Sequence, residues 1–203
     1  MSWKLLPSLV QSVAQRHAST WRARHGIQLA KSEHVEFIFD AHLKEAATGH
    51  FTSDYLYPHT HAGLRRQLTD SISHRQCMSS IGMVASRIYV YKDGGMAAAF
   101  CWVREAIGPR GRHQEIYAVY VHPEYRGHGV ASLLVRHALT AFPETTEFSA
   151  RLFPISIAMK RIFLGMGFAP DQQPSAQTIN LRLLPKRQAR TYNAAQQSTS
   201  VAN

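Results

Sequence analysis

Residues 115–134 read EIYAVYVHPEYRGHGVASLL, and this stretch decides the fold. Its first seven residues are rich in β-branched and aromatic side chains, a composition typical of a β-strand. Glycines at 127 and 129 then interrupt the pattern, and apolar residues recur at helical spacing from Val130 onward. The stretch therefore predicts a strand, a glycine-rich turn and a helix from about Gly129 to Ala141.

A turn of this kind suits an anion. The first N–H groups of a helix have no intrahelical acceptor, and the positive end of the helix dipole favours negative charge. Glycine lets an anion approach the backbone because no Cβ stands in the way. The alternative is a tight strand-to-helix turn that needs glycine for geometry alone. The G-x-G-x-x-G dinucleotide fingerprint and the Gly-Lys-Ser/Thr of a P-loop are both missing from the sequence.

The wider context resembles a known family. VHPEYRGHGVASLL is similar to the acetyl-CoA-binding motif Q/R-x-x-G-x-G/A of the GNAT (Gcn5-related N-acetyltransferase) superfamily, with Arg126, Gly129 and Ala131 at its defined positions. Further along, SIAMKRIFLGMGF resembles the family's later helix-to-strand segment and ends at Gly167-Phe168. The resemblance spans about Ile27–Leu184. It implies the GNAT acyl-CoA N-acyltransferase fold. This is an α/β fold in which helices pack on a mixed sheet, of the α+β type.

The resemblance also implies acetyl-CoA as co-substrate and transfer of its acetyl group to a primary amine of a small molecule or protein. In this family the third strand of a meander diverges from its neighbour, and its backbone binds the pantetheine arm. By position this strand segment is Val119, Tyr120 and Val121. The backbone amides of the turn would hold the pyrophosphate; they belong to Arg126, Gly127, His128, Gly129, Val130 and Ala131.

Direct transfer needs a base for the amine and an acid for the leaving thiolate. Glu115 is the candidate base, because strand alternation places it on one face with Tyr117, Val119 and Val121, toward the same cleft. Members of the family are similar in placing a glutamate near this point. The alternative is a carboxylate paired with a residue of the basic loop that precedes it. The candidate partners are Arg110, Arg112 and His113, and the weaker candidates for the base are His113, Glu105 and His122.

The general acid is the point at which the sequence departs from the family. Counted back from Gly167-Phe168, the usual tyrosine position holds Phe163 and the usual asparagine position holds Ser156. The resemblance thus places Ser156 and Phe163 among the cofactor-binding residues. Phenylalanine has no proton to donate, so Tyr117, Tyr120 or water would have to replace it. The alternative function is a GNAT-fold binding or structural protein, such as a phage or assembly component, that has lost transfer activity.

The rest of the middle region predicts a strand at Ile27–Lys31 and helices starting near Ser32 and Thr60. Two β-rich runs flank Lys92–Gly95, which is a hairpin signal. A strand, a helix and a final strand follow at about 148–153, 157–166 and 178–184. The acceptor pocket is expected near Tyr55, Tyr57 and the helix reaching Arg65-Arg66. The two arginines would either favour an anionic acceptor or simply be solvated. His59-x-His61 is expected to be a surface loop, and no metal site is predicted.

Charge divides the chain into three parts. The net charge is +10, yet residues 1–32 hold five basic and no acidic residues, and residues 186–203 hold three and none. The nearly neutral middle argues against a nucleic-acid-binding core. We expect a basic amphipathic helix in residues 1–25, the GNAT domain in 26–185 and a polar, basic, disordered tail in 186–203.

The N-terminal helix has several readings. It would pack on the domain, on a protein partner or on a second copy, act as an organelle transit peptide, or contact nucleic acid or a membrane surface. Two cysteines outside a CxxC pair and the lack of a long apolar run favour a cytoplasmic protein with no transmembrane segment. The alternatives are an organelle matrix or a virion.

Overall fold

The computed structural model describes residues 25–171 and 177–185, so the predicted N-terminal helix and polar tail lie outside the described residues. These residues form four α-helices, which are α1 (Val35–Ala47), α2 (Pro58–Ser73), α3 (Val130–Thr140) and α4 (Ile157–Gly165). They also form eight strands: β1 (His25–Leu29), β2 (Gln76–Ser79), β3 (Gly82–Asp93), β4 (Met96–Gly108), β5 (Gly111–Val121), β6 (Phe148–Leu152), β7 (Ala169–Pro170) and β8 (Ile179–Leu183).

One sheet contains all these strands. Its order is β1-β3-β4-β5-β6-β8-β7, and β2 extends it by pairing with the first residues of β3. Every pair is antiparallel except β5 and β6, which run parallel and are joined through α3. A parallel pair requires such a crossover, whereas antiparallel neighbours need only a hairpin. The β3–β4 hairpin turns at Gly94 and Gly95, whose φ angles of 56° and 93° match a two-residue turn with both central residues left-handed.

The sheet has a hydrophobic cluster on each face. Helices α1 and α2 cover one face, where Trp102 and Phe100 are fully buried beneath Ile38 and Leu68. Helices α3 and α4 cover the other, where Leu134, Val135 and Phe163 pack on strand residues. The sheet is therefore the middle layer of three, a mixed α/β fold as predicted.

Most predicted elements are present, with three differences. The short strands β2 and β7 were not predicted, because four and two residues carry too little periodicity. The helical spacing of apolar residues from Val130 predicts that Leu133 is on the buried face of α3, but Leu133 is exposed and Val135 is buried instead. His59 and His61 lie in the first turn of α2 rather than in a loop, and the His61 ring nitrogen Nε2 is 3.0 Å from the carbonyl oxygen of Tyr55.

A β-bulge overturns the predicted face of β5. Trp102 lies opposite Ala118, and Val103 lies opposite Ile116, so Tyr117 is an extra residue. Glu115 and Tyr117 consequently lie on the α1–α2 face, while Val119 and Val121 pack on the α3–α4 face. The expectation that all four share one face is wrong, because strict alternation does not survive an inserted residue.

The described residues contain neither a membrane-spanning helix nor a cluster of metal ligands. No helix in residues 25–171 or 177–185 is long and apolar enough to cross a membrane. Within those ranges there is also no group of three or more histidine, cysteine, aspartate or glutamate side chains that could hold a metal ion.

His42 should make stability depend on pH. Its ring is fully buried in α1 between Phe51, Tyr55, Phe100 and Trp102, and Nδ1 lies 2.8 Å from the Ile38 carbonyl oxygen. Burial disfavours the charged ring and lowers the pKa of His42 from 6.5 to about 4. The unfolded chain therefore binds this proton more readily, and stability present above pH 6.5 is lost as the pH falls toward 4.

Urea unfolding measured across that pH range should show this loss. We expect the free energy of unfolding to fall by up to about 3 kcal/mol through His42. His42→Phe keeps an aromatic ring at this position but removes the group that binds the proton. The free energy of unfolding of this variant should therefore fall less with pH, by the amount that His42 contributes. Identical pH slopes for the two proteins would show that His42 does not bind its proton differently on folding.

Candidate functional site

The central feature of the site is the gap between β5 and β6. These strands pair only from Gln114 to Ile116 and from Phe148 to Ala150, and then diverge. Beyond that point lies a cavity of about 1030 Å³. Because the gap passes through the sheet, residues from both faces line it, which brings Glu115 and Val119 into one cavity despite the bulge.

Six segments build the cavity wall. They are the end of α1 with the loop that follows it, strand β5, the turn before α3, the end of β6 with the loop after it, helix α4 as far as Phe163, and residues 177–178 before β8. The polar and charged side chains that line it are His42, Glu45, His50, Thr52, Ser53, Asp54, Tyr55, Glu115, Tyr117, Tyr120, Tyr125, Arg126, Arg151, Ser156, Arg161, Gln177 and Thr178.

The backbone of β5 presents polar groups to this cavity. The N–H of His122 donates to the Ala98 carbonyl at 2.8 Å, which fixes the alternation along β5. Residues 120 and 122 thus direct their N–H and C=O groups at β4, whereas Val119 and Val121 direct theirs at the gap. Tyr120 differs from the prediction in this respect: its backbone faces Phe100, and its ring stacks in the core at 5.8 Å from that residue.

The glycine turn lies at the same end of β5. Gly127 and Gly129 have φ angles of 80° and 77°, and Gly129 directly precedes the first residue of α3. A Cβ added at either position would meet no protein atom within 4 Å, so protein packing alone does not demand glycine there. The positive φ does, and so would a ligand lying against the backbone. The amides that begin α3 face this space without intrahelical acceptors.

Arg126 joins the turn to α1. Its Nε donates to the Val121 carbonyl at 2.9 Å, and its Nη2 donates to Glu45 Oε1 at 2.6 Å. The side chain is therefore occupied with protein partners and holds the turn in place. His128 is exposed and does not line the cavity, whereas Val130 is buried beneath the turn and anchors α3 to the sheet.

Glu115 is buried at the point where the strands diverge. Arg104 Nε donates to its Oε2 at 2.8 Å, and Arg151 Nη2 lies 3.5 Å from its Oε1. The Arg104 guanidinium also stacks over the Tyr117 ring at 3.6 Å. The predicted partners of the alternative reading are engaged elsewhere: Arg110 with Glu147, Arg112 with Glu105, and His113 with Ser149.

Two tyrosine hydroxyls meet in the cavity near Glu115. The Tyr55 and Tyr117 oxygens are 2.8 Å apart. Burial, together with the neighbouring Tyr117, raises the pKa of Tyr55, so its hydroxyl stays protonated at neutral pH. Tyr55 was expected in the acceptor region and does line the cavity; Tyr57 does not, and Arg65 forms an ion pair with Glu36 at 3.0 Å rather than offering a free charge. Glu105, His113 and His122, the weaker base candidates, are not among the residues lining this cavity.

The two positions that depart from the family pattern lie in α4 and at the residue just before it. Phe163 has 1% of its surface exposed and packs on Phe168 with 4.9 Å between ring centroids. Ser156 immediately precedes α4, and its Oγ is 3.0 Å from His50 Nδ1. His50 was not predicted as a site residue. It is separated from Ser156 by 106 positions, so no local pattern connects the two.

A scan of family models places this arrangement in context. The model of the acetyltransferase (GNAT) family matches residues 45–159, which is more than half of the chain. The match begins at Glu45 and runs through the turn and β6 into the start of α4. No protein of curated function matches the chain by sequence.

Solved structures with the same fold include several acetyltransferases. The histone acetyltransferase HPA2 and related acetyltransferase from Corynebacterium glutamicum is 16% identical, with 80% of this chain and 97% of that chain covered and a TM-score of 0.57. The PaiA N-acetyltransferase from Thermoplasma acidophilum, in complex with coenzyme A, is 12% identical, with coverages of 78% and 97% and a TM-score of 0.58. A chimera of the spermidine N-acetyltransferase SpeG from Vibrio cholerae with hSSAT is 15% identical, with coverages of 81% and 97% and a TM-score of 0.56.

The Glu115–Arg104 pair should matter to stability because it is buried. Its side chains are 11% and 16% exposed, so Arg104→Leu leaves a carboxylate with little access to water and only the more distant Arg151. We expect this substitution to lower the free energy of unfolding by about 3 kcal/mol or more. Urea denaturation at pH 7 measures the change.

Arg112→Leu is the matched control. Arg112 bonds Glu105 across the same two strands at the same 2.8 Å, but its side chain is 67% exposed. Its loss should cost less than about 1 kcal/mol. Equal losses for the two variants would mean that burial does not govern the strength of these pairs.

Proposed function

We propose that the chain, which belongs to the GNAT acetyltransferase family, is an acetyl-CoA-dependent N-acetyltransferase acting on a primary amine. The observation that carries the proposal is the continuity of one cavity, which runs from the glycine turn at α3, along the outward-facing backbone of β5, to the buried carboxylate of Glu115. This path offers an anion site, a row of amide partners and a candidate base in sequence.

The residues present fit coenzyme A. Its pyrophosphate would lie against the amides of Gly127 through Ala131, where the free N–H groups and the helix dipole both favour negative charge. Its amide-containing pantetheine arm would bond the N–H groups of Val119 and Val121 and the C=O group of Val119, which have no neighbouring strand on that side. Acetyl-CoA supplies the activated acetyl group, and the protein supplies position and proton transfer.

Glu115 is the proposed base. When the amine nitrogen bonds to the acetyl carbon it carries a surplus proton, which Glu115 would accept directly or through a water molecule. Its position supports this role, because it lies deep in the cavity where β5 and β6 part. The other two lining carboxylates lie elsewhere: Glu45 is bonded to Arg126 beside the turn, and Asp54 is exposed on the loop after α1.

The acceptor is proposed to carry few positive charges. Two of the carboxylates that line the cavity, Glu45 and Glu115, are each paired with arginine, so neither is left to attract a polycation. Aromatic side chains line much of the remaining wall, including Phe51, Tyr55, Tyr117 and Phe153. A polyamine such as spermidine, named for one of the structural neighbours, is therefore disfavoured here.

Calorimetric titration with acetyl-CoA tests the cofactor site. Gly129→Glu should weaken binding roughly 100-fold, about 2.8 kcal/mol, because it adds bulk and negative charge where the pyrophosphate lies. Gly94→Glu is the control, since it introduces the same side chain at a positive φ of 56° in the β3–β4 turn. No binding by folded wild-type protein at tens of micromolar acetyl-CoA would contradict the proposal, and equal affinities for all three proteins would refute the assigned site.

Glu115→Gln tests the base. The amide keeps a hydrogen-bond acceptor for Arg104 but cannot take up the proton, so kcat should fall by about 100-fold or more while acetyl-CoA affinity is retained. Thiol release from acetyl-CoA in the presence of butylamine, phenethylamine, spermidine or a lysine peptide measures the rate. Glu105→Gln, which removes a carboxylate outside the cavity, should be unaffected. An unchanged rate in Glu115→Gln would remove Glu115 from the mechanism.

A second candidate is a GNAT-fold binding protein without transfer activity. Phe163 favours it, because the position at which many family members have a tyrosine near the sulfur holds a buried ring with no hydroxyl. This candidate predicts acetyl-CoA binding without thiol release for any amine. Turnover that disappears in Glu115→Gln would exclude it.

A further inference from the structure

A hydroxyl–imidazole pair in the cavity joins the loop after α1 to the start of α4. Ser156 stands at the start of α4, on the β6 side of the gap, and His50 belongs to the loop that follows α1. Their Oγ and Nδ1 atoms are 3.0 Å apart, and both residues line the cavity. We propose that Ser156 is the catalytic residue that delivers a proton to the leaving sulfur, and that His50 supplies that proton to Ser156. The inference rests on the proposed acetyl transfer.

The Ser156 hydroxyl is available for this task. Serine at the position before a helix usually caps the first turn by accepting a backbone N–H. Here the side chain makes no such bond, and its hydrogen-bond partner is His50 instead. Ser156 is only 7% exposed, so its hydroxyl is largely shielded from bulk water. The nine-residue helix α4 begins at the next residue, and its positive end favours the negative charge that develops on a departing thiolate.

Three other hydroxyl groups that line the cavity are less suited. The Tyr55 and Tyr117 hydroxyls bond each other on the α1–α2 face, beside Arg104 and Glu115, where the amine proton is taken up. Thr52 Oγ1 accepts the backbone N–H of Asp54. Ser156 instead begins the same helix as Phe163 and lies on the wall opposite β5. It therefore replaces, from the other end of α4, the proton donor that Phe163 lacks.

The proton balance closes without a further reactant. As the carbon–sulfur bond breaks, its electron pair stays on sulfur, which takes the hydroxyl proton of Ser156. The Ser156 oxygen takes the Nδ1 proton of a protonated His50. His50 becomes neutral with its remaining proton on Nε2, free thiol leaves, and Nδ1 of the half-buried His50 ring regains a proton from water. The imidazole thus loses and regains one proton per turnover.

Charged groups on several elements line the same cavity as His50. Glu45, whose carbonyl accepts the His50 backbone N–H at 2.9 Å, is paired with Arg126. Asp54 lies on the same loop, and Arg151 and Arg161 line the cavity from β6 and α4. The mix of signs means that the pH profile must be read against a His50 variant rather than against an ordinary histidine.

The first experiment measures kcat and acetyl-CoA affinity in Ser156→Ala. With the amine that wild-type protein acetylates fastest, kcat should fall about 100-fold, while the dissociation constant for acetyl-CoA changes less than about threefold. Ser156→Thr keeps a hydroxyl and should retain most of the rate. An unchanged kcat in Ser156→Ala would overturn the proposal. So would a rate that returns to the wild-type value once acetyl-CoA is saturating, because Ser156 would then be a binding residue only.

The second experiment follows kcat against pH in His50→Gln. Wild-type kcat should decline on the alkaline side as His50 loses its proton, and His50→Gln should have a lower plateau without that decline. A purely structural His50–Ser156 contact would lower the rate and leave the shape of the profile unchanged, which would overturn the proposal. His59→Gln, which changes a histidine outside the cavity, is the control.

The outcomes separate the two proposals. Wild-type protein that binds acetyl-CoA and releases no thiol contradicts the transfer function itself, and with it the proton path. Wild-type protein that turns over while Ser156→Ala and His50→Gln behave as wild type refutes only the proton path.

Discussion

The separation of β5 and β6 after three residue pairs determines where the cavity and the glycine turn lie. The two strands share three residue pairs and then separate, so the backbone of β5 from Tyr117 to Val121 has a neighbour only on the β4 side. Strand N–H and C=O groups that lack a partner must find one in solvent, side chains or a ligand. Arg126 satisfies one of them, the Val121 carbonyl, and in doing so fixes the turn that begins α3. The gap, the turn and the cavity are consequences of the same interrupted pairing.

The bulge at Tyr117 gives the gap two chemically different sides. It sends Glu115 and Tyr117 to the face of α1 and α2, where Arg104, Tyr55 and the aromatic rings around His42 lie. It leaves Val119 and Val121 on the face of α3 and α4, next to the glycine turn. In a regular strand these residues would have faced the same way. The extra residue therefore separates a region that suits proton uptake from a region that suits an extended anionic ligand.

Proton transfer in this protein would be divided between distant parts of the chain. Phe163 has no hydroxyl at the position of the family's usual donor, and its ring packs on Phe168. In the proposed mechanism the Ser156–His50 pair would supply the proton instead, and their contact joins the loop after α1 to the start of α4. A buried hydroxyl beside an imidazole is a donor whose supply can be renewed from solvent, which a lone serine is not.

Features that depend on residues close together in the chain could be predicted from the sequence. The strand, glycine turn and helix at 115–134 follow from local composition and periodicity, and the hairpin at Gly94-Gly95 follows from two glycines that accept positive φ. The family and the mixed α/β fold followed from motifs of the same local kind. Only the tertiary structure decided which groups meet: the bulge that reverses Val119 and Val121 relative to Glu115, the Arg104 partner of Glu115, and the contact between His50 and Ser156. Periodicity reports on residues a few positions apart, whereas these contacts join segments whose distance is set by strand register and helix packing, and no local pattern encodes either.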